Sequence, residues 1–365
     1  MTISSIINFL ETVAPPVLQE DYDNCGLIVG DASRSCKGVM ISLDATEDVI
    51  EEAIRRECDL VVTHHPLIFG GVKRVTSADA TGRMLTRAIT AGISVYAIHT
   101  NLDNVVHGVN GRIATLLGLG GTRVLAPKAG SLRKMYLFVP QAHAGPLMEA
   151  AFGAGAGHIG KYSECSFRAE GTGSFLAGAG ADPFVGQPGI RHEEPETRLE
   201  FIFPHWKQET ILSALREVHP YEEMAYDIVT LENAWDQVGS GLVGDLAIPE
   251  SEDRFLGRVK ELFRVPVVRH TPLTGRMVSR VAICGGAGSF LIPNALSSGA
   301  QVFLTADLKY HDFFRPEGRL VLADIGHYES EQYTVDLLTD LLTEKFPTFA
   351  VLKSGVNTNP VNYLI

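Results

Sequence analysis

Two adjacent histidines follow a short apolar run near the start of the chain. That run, residues 59–63, is rich in valine and leucine, which predicts a strand buried on both faces of a parallel sheet. Pro66 ends the strand, so His64 and His65 are expected at its carboxyl end, where open α/β sheets bind ligands. Adjacent side chains of an extended chain point to opposite sides, so the two rings can serve two metal ions more easily than one. Taken alone, the pair is better explained as one packed and one solvated histidine.

Two more pairs of metal-binding side chains stand at predicted strand ends. His99 and Asp103 bracket the end of one strand, while His327 and Glu331 follow another. The second pair has a spacing of four residues, which places both side chains on one face of a helix. Taken separately, each pair has a structural explanation. Asp103 could cap a turn, and His327 and Glu331 could be neighbours on a surface helix. Their shared position at strand ends favours a common metal site.

The ligand set that this arrangement predicts contains three imidazoles and two carboxylates. Its members are His64, His65, Asp103, His327 and Glu331. Nitrogen and oxygen ligands of this kind suit zinc, iron or manganese. Five side chains are more than one catalytic metal usually takes, whereas two metals that share a bridging carboxylate would use them all and leave positions for water. Two divalent ions per chain are therefore the expected cofactor.

An alternation of predicted strands and helices positions the candidate ligands. In the first part of the chain, strands are predicted over residues 38–44, 59–63 and 94–99, with helices over 3–13, 47–56, 80–91 and 109–117. After residue 233 the alternation resumes, with strands over 278–284, 301–305 and 320–324 and a helix from about 326 to 343. This order predicts a mainly parallel sheet covered by helices. We therefore expect a two-part α/β/α core, residues 1–132 and 234–365.

A different pattern occupies residues 133–233. Strands are predicted over residues 135–139, 198–203 and 225–231, helices over 145–152 and 208–218, and two strands or a hairpin within 165–176. The order β-α-β-β-α-β is typical of a ferredoxin-like α+β module. The stretch 178–196 is rich in glycine, proline and charge, which predicts a mobile loop. The module is expected to interrupt the α/β core as an insert.

Composition and charge narrow the class of protein. The chain has 365 residues and a net charge of −12, which argues against a broad nucleic-acid-binding surface. Its five cysteines are scattered and form no C-x-x-C pair, a pattern typical of proteins in a reducing compartment. Neither a signal peptide nor an apolar stretch of membrane-spanning length is present. These features predict a cytoplasmic protein without a membrane or nucleic-acid partner.

Four segments resemble the signatures of the Nif-three-like family, whose members are often catalogued as GTP cyclohydrolase I type 2 homologues. The segments are Asp23-Asn24-x-Gly26-Leu27-x-x-Gly30, Thr63-His64-His65-Pro66-Leu67, His99-Thr100-Asn101-x-Asp103 and Gly326-His327-Tyr328-x-Ser330-Glu331. Within the insert, the stretch 218–227 is similar to the PII-like domain of the family's long bacterial form. Met224 departs from that pattern, which usually carries proline there.

The resemblance implies a dinuclear metal site and a toroidal homohexamer. It implies that His65 and Asp103 hold one ion, that His64 and His327 hold the other, and that Glu331 bridges them. It also suggests a metal-dependent hydrolase, and the catalogue name suggests ring opening of a purine nucleotide. A phosphoester or a cyclic amide suits the predicted chemistry equally well.

Further residues near the predicted strand ends are candidates for catalysis. His99, Lys309 and His311, with the neighbouring Tyr310, are candidates for proton transfer or substrate contact, and a structural role for each is equally open. The alternative function is a regulatory protein whose PII-like insert senses a small, nucleotide-like or other ligand. In such a regulatory protein the ligand pocket would be lined by His219, Tyr221, Glu222 and Glu223. The favoured explanation of these four residues is structural, namely that they end a helix and start a strand.

Overall fold

The computed structural model describes residues 1–364. The chain forms two compact units, one from Met1–Ala126 with the chain from Gln237 onwards, and one from Pro127–Asp236. The predicted boundaries of the insert, 133 and 233, lie a few residues inside the second unit.

The first part of the chain alternates strands and helices as its pattern predicts. Its elements are α1 (Ile3–Val13), β1 (Gly26–Val29), β2 (Gly38–Ser42), α2 (Glu47–Arg55), β3 (Leu60–Thr63), α3 (Ala80–Ala91), β4 (Ser94–Ala97), α4 (Thr100–Asp103), α5 (Val109–Leu117) and β5 (Leu119–Lys128). Side-chain caps begin three of these helices, because Thr2, Thr46 and Asp79 each accept a hydrogen bond from a backbone N–H of the first turn. Helices α3 and α5 end at glycines with positive φ, Gly92 and Gly118, the usual left-handed C-terminal cap.

The second unit has the predicted order of elements. They are β6 (Leu132–Pro140), α6 (Ala144–Gly153), β7 (Phe167–Leu176), β8 (Arg191–Pro204), α7 (Gln208–Val218) and β9 (Tyr226–Thr230). The four strands form an antiparallel sheet in the order β7-β8-β6-β9, and the apolar faces of α6 and α7 share its core. This topology is ferredoxin-like.

Two predictions for the second unit are wrong. Residues 167–176 form one strand rather than a hairpin, since Gly171 and Gly173 are both paired within the ladder to β8. Residues 191–196, predicted to belong to a mobile loop, extend β8 and pair with β7. Glycine and charge suggested turns here, but cross-strand pairing overrides local propensity.

The chain after the insert completes the first unit. Its elements are β10 (Trp235–Ser251), α8 (Glu252–Leu262), β11 (Arg269–His270), β12 (Met277–Ala287), α9 (Ile292–Ser297), β13 (Val302–Ala306), β14 (Val321–Asp324), α10 (His327–Glu331), α11 (Thr334–Lys345) and β15 (Ala350–Lys353). The single helix predicted from 326 to 343 is in fact two, α10 and α11. The long strand β10 and helix α8 were not predicted.

Two mixed sheets build the first unit. One has the order β1-β4-β3-β2-β15, in which all neighbours except β1 and β4 are parallel. The other has the order β11-β14-β13-β12-β10-β5, with a parallel centre of β12, β13 and β14. Strands of both sheets share one buried apolar cluster with α1, α5, α8 and α11. The mainly parallel α/β core is therefore confirmed, with antiparallel pairing of β1 with β4, β11 with β14 and β10 with β12.

A cavity-forming substitution in β3 tests this packing. Leu60 is fully buried, so Leu60→Ala is expected to lower the free energy of unfolding by about 2–5 kcal/mol in urea denaturation followed by circular dichroism. The matched control is Ile248→Ala, because Ile248 is 81% exposed and its truncation should change stability by less than about 0.5 kcal/mol. Equal losses for the two variants would contradict the assigned core.

Candidate metal centre

Strand ends of both sheets carry the predicted ligands. His64 and His65 follow β3, and their backbone N–H groups donate to the carbonyl oxygen of Leu43 at 3.1 and 3.0 Å. Asp103 ends the short helix α4, which begins three residues after β4 ends. Helix α10 begins three residues after β14 ends, beyond Gly326, whose φ of +87° lets the chain turn sharply. All these positions lie at carboxyl ends of parallel strands.

The five predicted ligands meet in one cluster. Glu331 Oε2 lies 3.0 Å from His65 Nε2, 3.1 Å from His327 Nε2 and 3.9 Å from His64 Nε2. His64 Nε2 lies 3.6 Å from Asp103 Oδ1, and the Nε2 atoms of His65 and His327 are 3.2 Å apart. Side chains 266 residues apart in the sequence therefore share a volume a few ångströms across.

Three polar atoms of the cluster are buried and have no hydrogen-bond partner within residues 1–364. They are His64 Nε2, Asp103 Oδ1 and Glu331 Oε2. The short contacts to Glu331 therefore lack the alignment of hydrogen bonds. Leaving a polar atom buried and unsatisfied costs about 1–3 kcal/mol, so native proteins rarely tolerate several together. Nitrogen and carboxylate oxygen atoms that converge in this way are the donor set of a divalent cation, and they fit one.

A second layer of acceptors orients the imidazoles. Each ligand histidine uses Nδ1 for a hydrogen bond away from the cluster. The partners are the Ile98 carbonyl oxygen for His64 (2.9 Å), Asp44 for His65 (2.7 Å) and Asp307 for His327 (2.7 Å). When Nδ1–H donates to these oxygens, the lone pair of Nε2 faces the cluster, which is the orientation that metal ligation requires.

The ligand atoms fall into overlapping groups. His65, His327 and Glu331 form one group, His64, Asp103 and Glu331 form a second, and His64, His65 and His99 form a third. Within each group all ligand atoms lie within 4.8 Å of one another. Glu331 belongs to two groups, as a bridging carboxylate would. The grouping differs from the pairing that the family resemblance implies, because His65 lies with His327 and His64 lies with Asp103.

The two carboxyl groups of the cluster have opposite pKa shifts. Burial, together with the negative charge of Glu331, raises the pKa of Asp103 well above its usual range. Burial also acts to raise the pKa of Glu331, but the surrounding imidazoles outweigh it and hold that pKa well below its usual range. A cation that binds here must displace the proton of Asp103, so metal binding is expected to release protons.

Two of the imidazoles have raised pKa values. Burial acts to lower the pKa of His65, but its contacts with Asp44 and Glu331 outweigh burial and raise that pKa to about 9. The pKa of His327 is raised to about 11 in the same way, by Asp307 and Glu331. The carboxylates therefore create a field that attracts positive charge, whether protons or metal ions.

His99 stands beside the cluster in a dyad with Asp23. The imidazole Nδ1 lies 2.8 Å from Asp23 Oδ1, while the ring lies 5.2 Å from the rings of both His64 and His65. Asp23 also accepts hydrogen bonds from the backbone N–H and the hydroxyl of Thr100. Burial acts to raise the pKa of Asp23, but the hydrogen bonds from His99 and Thr100 outweigh it and hold that pKa below its usual range. Asp23 is thus an ionised partner of His99.

Glycine supplies the room that Glu331 needs. Gly286 has a φ of +62°, and a Cβ atom at this position would lie 2.3 Å from Glu331 Oε1. The backbone of β12 therefore approaches the carboxylate more closely than any residue with a side chain would allow.

The other two catalytic candidates lie outside the cavity that contains the cluster. Both are exposed: Lys309 immediately precedes a 3₁₀ helix over Tyr310–Phe314, and His311 lies within it. Neither residue lines the cavity. A catalytic role for them stays a prediction. In the insert, Tyr221 donates to Glu196 and His219 Nε2 lies 3.1 Å from the Phe138 carbonyl oxygen, contacts that suit a structural role.

The cavity has a volume of about 1390 Å³ and opens beside the cluster. It is lined by His65, His99, Asp103, His327 and Glu331. Five aromatic side chains also line it, namely Tyr22, Phe69, Phe290, Tyr328 and Tyr363, of which only Tyr328 lies in a segment that sequence reasoning singled out. Sequence reasoning also missed Asp44 and Asp307, although each lies just beyond the end of a strand, β2 or β13, where the same rule would have found it.

Thiol chemistry is disfavoured at this site. Burial and the neighbouring Asp23 raise the pKa of Cys25 to about 12, and its Sγ lies 3.0 Å from Asn101 Oδ1. Burial likewise raises the pKa of Cys284, which lines the cavity. Protonated thiols are poor nucleophiles and poor metal ligands.

Comparisons with known proteins cover almost the whole chain. A family model described as Duf34/NIF3 (NGG1p interacting factor 3) matches residues 1–360. A protein of Bacillus subtilis (strain 168) named GTP cyclohydrolase 1 type 2 homolog is 36% identical over 366 residues, which cover 98% of each chain. A protein of Mycobacterium leprae (strain TN) with the same name is 36% identical over 367 residues, 99% of this chain and 95% of its own.

Solved structures agree with these matches. The crystal structure of a Bacillus cereus protein related to NIF3 has a TM-score of 0.87 and 34% sequence identity, and the match covers 100% of this chain and 99% of the other. A Staphylococcus aureus protein has a TM-score of 0.79 at 27% identity, with the same coverage. Within residues 1–364, no helix combines the length and the apolar character needed to cross a membrane.

Thiol labelling tests the environment of Cys25. At pH 8, iodoacetamide is expected to modify the partly exposed Cys165 well before Cys25, whose pKa of about 12 leaves almost no thiolate. Peptide mass spectrometry over time measures both rates, and Cys165→Ser is the control that should remove the fast reaction. Modification of Cys25 as fast as Cys165 would contradict the protonated thiol.

Proposed function

The chain belongs to the Duf34/NIF3 family, and on that premise we propose that it is a hydrolase that uses two divalent metal ions. The observation that carries this proposal is the convergence of His64 Nε2, Asp103 Oδ1 and Glu331 Oε2, buried and without hydrogen bonds. A structural cluster would pair these atoms with one another or with the backbone. A cation site leaves them facing a common point.

The grouping of ligand atoms suggests how the ions are divided. His65 and His327 would hold one ion, His64 and Asp103 the other, and Glu331 would contact both. Zinc, iron and manganese all suit this nitrogen and oxygen set. When bound, such a pair of ions supplies Lewis-acid activation of water and of the attacked carbonyl or phosphoryl group.

His99 is the proposed general base of the site. Asp23 holds its Nδ1, so Nε2 is left to accept or return a proton on the side of the cavity. The ring is partly exposed and borders the cavity, within reach of a molecule bound beside the cluster. The hydrogen bonds from Thr100 keep Asp23 ionised and its carboxylate fixed.

The charge of the cavity favours an uncharged or cationic substrate. Its described lining includes seven carboxylate residues, namely Glu20, Asp44, Asp103, Asp307, Asp324, Glu329 and Glu331, but a single guanidinium, that of Arg269. Arg269 already donates to Asp324 and to the Leu308 carbonyl oxygen, both at 2.6 Å. Two divalent ions would offset only four of these negative charges. Among nucleotides, phosphoesters and cyclic amides, the cyclic amide is therefore the best match.

Several further parts of the proposal rest on the sequence and its family resemblance. They are the toroidal hexamer, the cytoplasmic location, the PII-like character of the insert and the roles of Lys309 and His311. The name of the curated relatives suggests a purine nucleotide as substrate. The excess of carboxylates in the cavity argues against a polyphosphate.

Elemental analysis of untagged protein tests the metal pair. The native chain is expected to bind about two divalent ions, and Glu331→Ala is expected to bind far less, because the variant loses the residue that the His65–His327 group shares with the His64–Asp103 group. The matched control is Glu317→Ala, since the Glu317 side chain is 74% exposed on the surface. Only trace metal in the native chain after reloading with zinc, iron or manganese would overturn the proposal.

Turnover assays test the reaction and the substrate class together. We expect the metal-loaded protein to hydrolyse uncharged five- or six-membered cyclic amides in preference to nucleoside triphosphates. His99→Gln should lower kcat about 100-fold or more while leaving the metal content near that of the native chain. Full turnover after removal of metal by a chelator would refute metal-dependent hydrolysis. A preference for triphosphates would refute the substrate class alone.

A further inference from the structure

The last part of the chain runs along the candidate metal centre. From Ser354 to Leu364, which we call the C-terminal segment, the structure has neither helix nor strand. The segment starts beside β2, because β15 pairs in parallel with β2 in the register Lys353 with Ile41. It is anchored there by Glu52, whose carboxylate accepts hydrogen bonds from the Ser354 hydroxyl (2.6 Å) and the Gly355 N–H (3.0 Å).

Four residues further on, the C-terminal segment contacts the second layer of the metal centre. The hydroxyl of Thr358 donates to Asp44 Oδ2. The other carboxylate oxygen, Oδ1, is the partner of His65 Nδ1 at 2.7 Å. A continuous chain of hydrogen bonds therefore runs from Thr358 through Asp44 to an imidazole of the cluster. Because a carboxylate can rotate about its Cβ–Cγ bond, a donor on one oxygen fixes the direction of the other.

The next residue reaches the element that carries Glu331. Asn359 Nδ2 donates to Glu329 Oε1 at 3.0 Å, and Glu329 lies on α10 between His327 and Glu331. The Asn359 carbonyl oxygen, Oδ1, accepts from the Val361 N–H at 3.0 Å, which closes a turn within the segment. The C-terminal segment is thus hydrogen-bonded to residues beside both sheets that supply ligands.

The C-terminal segment also forms part of the cavity wall. Asn359, Pro360, Val361 and Tyr363 line it. The Tyr363 hydroxyl lies close to the start of α10, since a Cβ atom at Gly326 would lie 3.2 Å from it. Burial and the nearby Glu329 carboxylate raise the pKa of this phenol. Val361 and Tyr363 nevertheless stay 53% and 42% exposed, so their apolar surface is available to a molecule in the cavity.

We propose that Thr358 is a positioning residue of the metal centre, which fixes the orientation of His65 by holding Asp44. This inference rests on the proposed function only in taking His65 as a metal ligand. The geometry of the hydrogen bonds from Thr358 to His65 is independent of the reaction and of the substrate. Partners of this kind usually change metal affinity by about 10–100-fold when they are lost.

A pair of substitutions at residue 358 isolates the hydroxyl. Thr358→Val keeps the shape of the side chain and removes the donor, whereas Thr358→Ser keeps the donor. Calorimetric titration of the metal-free full chain with zinc is expected to show about tenfold weaker binding of one ion in Thr358→Val and near-native binding in Thr358→Ser. Thr90→Val is the control, since the Thr90 hydroxyl donates to Thr86 on an exposed helix face away from the cavity.

Hydrogen exchange gives a second measurement that needs no metal. The N–H groups of Asn359 and Val361 are hydrogen-bonded within the C-terminal segment, and faster exchange is expected in Thr358→Val than in Thr358→Ser. Native zinc affinity in Thr358→Val would overturn the positioning role, whatever the exchange rates of the C-terminal segment. A native chain that binds no zinc would overturn the proposed function instead, and exchange alone would then decide whether Thr358 holds the segment.

Discussion

A buried carboxylate surrounded by imidazoles is the constraint on which the first unit depends. The Glu331 side chain is only 3% exposed and contacts the imidazoles of His65 and His327 at about hydrogen-bond distance. An ionised carboxylate cannot be left without compensation in such an environment. Several features of the fold serve this need, including the parallel strand ends that deliver histidines, the glycine of β12 that admits the carboxylate, and the sharp turn before α10. Together these features hold this one group in place.

A hydrogen-bond acceptor for Nδ1 fixes each imidazole in and beside the cluster. An aspartate holds Nδ1 of His65, of His327 and of His99, with donor–acceptor distances of 2.7, 2.7 and 2.8 Å. In His64, which is fully buried, a backbone carbonyl oxygen takes that place. A neutral acceptor suits the buried ring, because an additional carboxylate there would need its own compensation. The arrangement fixes four imidazoles without adding charge to the driest part of the site.

The sequence predicted much of this structure, and its failures have physical causes. Apolar runs that end in histidine or aspartate identified β3, β4 and β14, beside whose ends the five predicted ligands lie, because a strand's burial and its end are local properties. The long strand β10 was missed because its residues alternate with glycine and charge, and its pairing with β12 is a long-range property. Which ligands lie together, and the contact of Thr358 with Asp44, depend on packing between segments some 300 residues apart, which no local pattern records.

The order of the ligands along the chain has a consequence for biosynthesis. His64, His65 and Asp103 precede the whole of the second unit, whereas His327 and Glu331 follow it. A nascent chain that has left the ribosome only as far as residue 236 carries an incomplete ligand set, without the carboxylate common to both groups. On the proposed function, such a partial site is expected to bind a cation less tightly than the complete one. Metal acquisition would then be a late event, coupled to completion of the fold and separated in time from the folding of the insert.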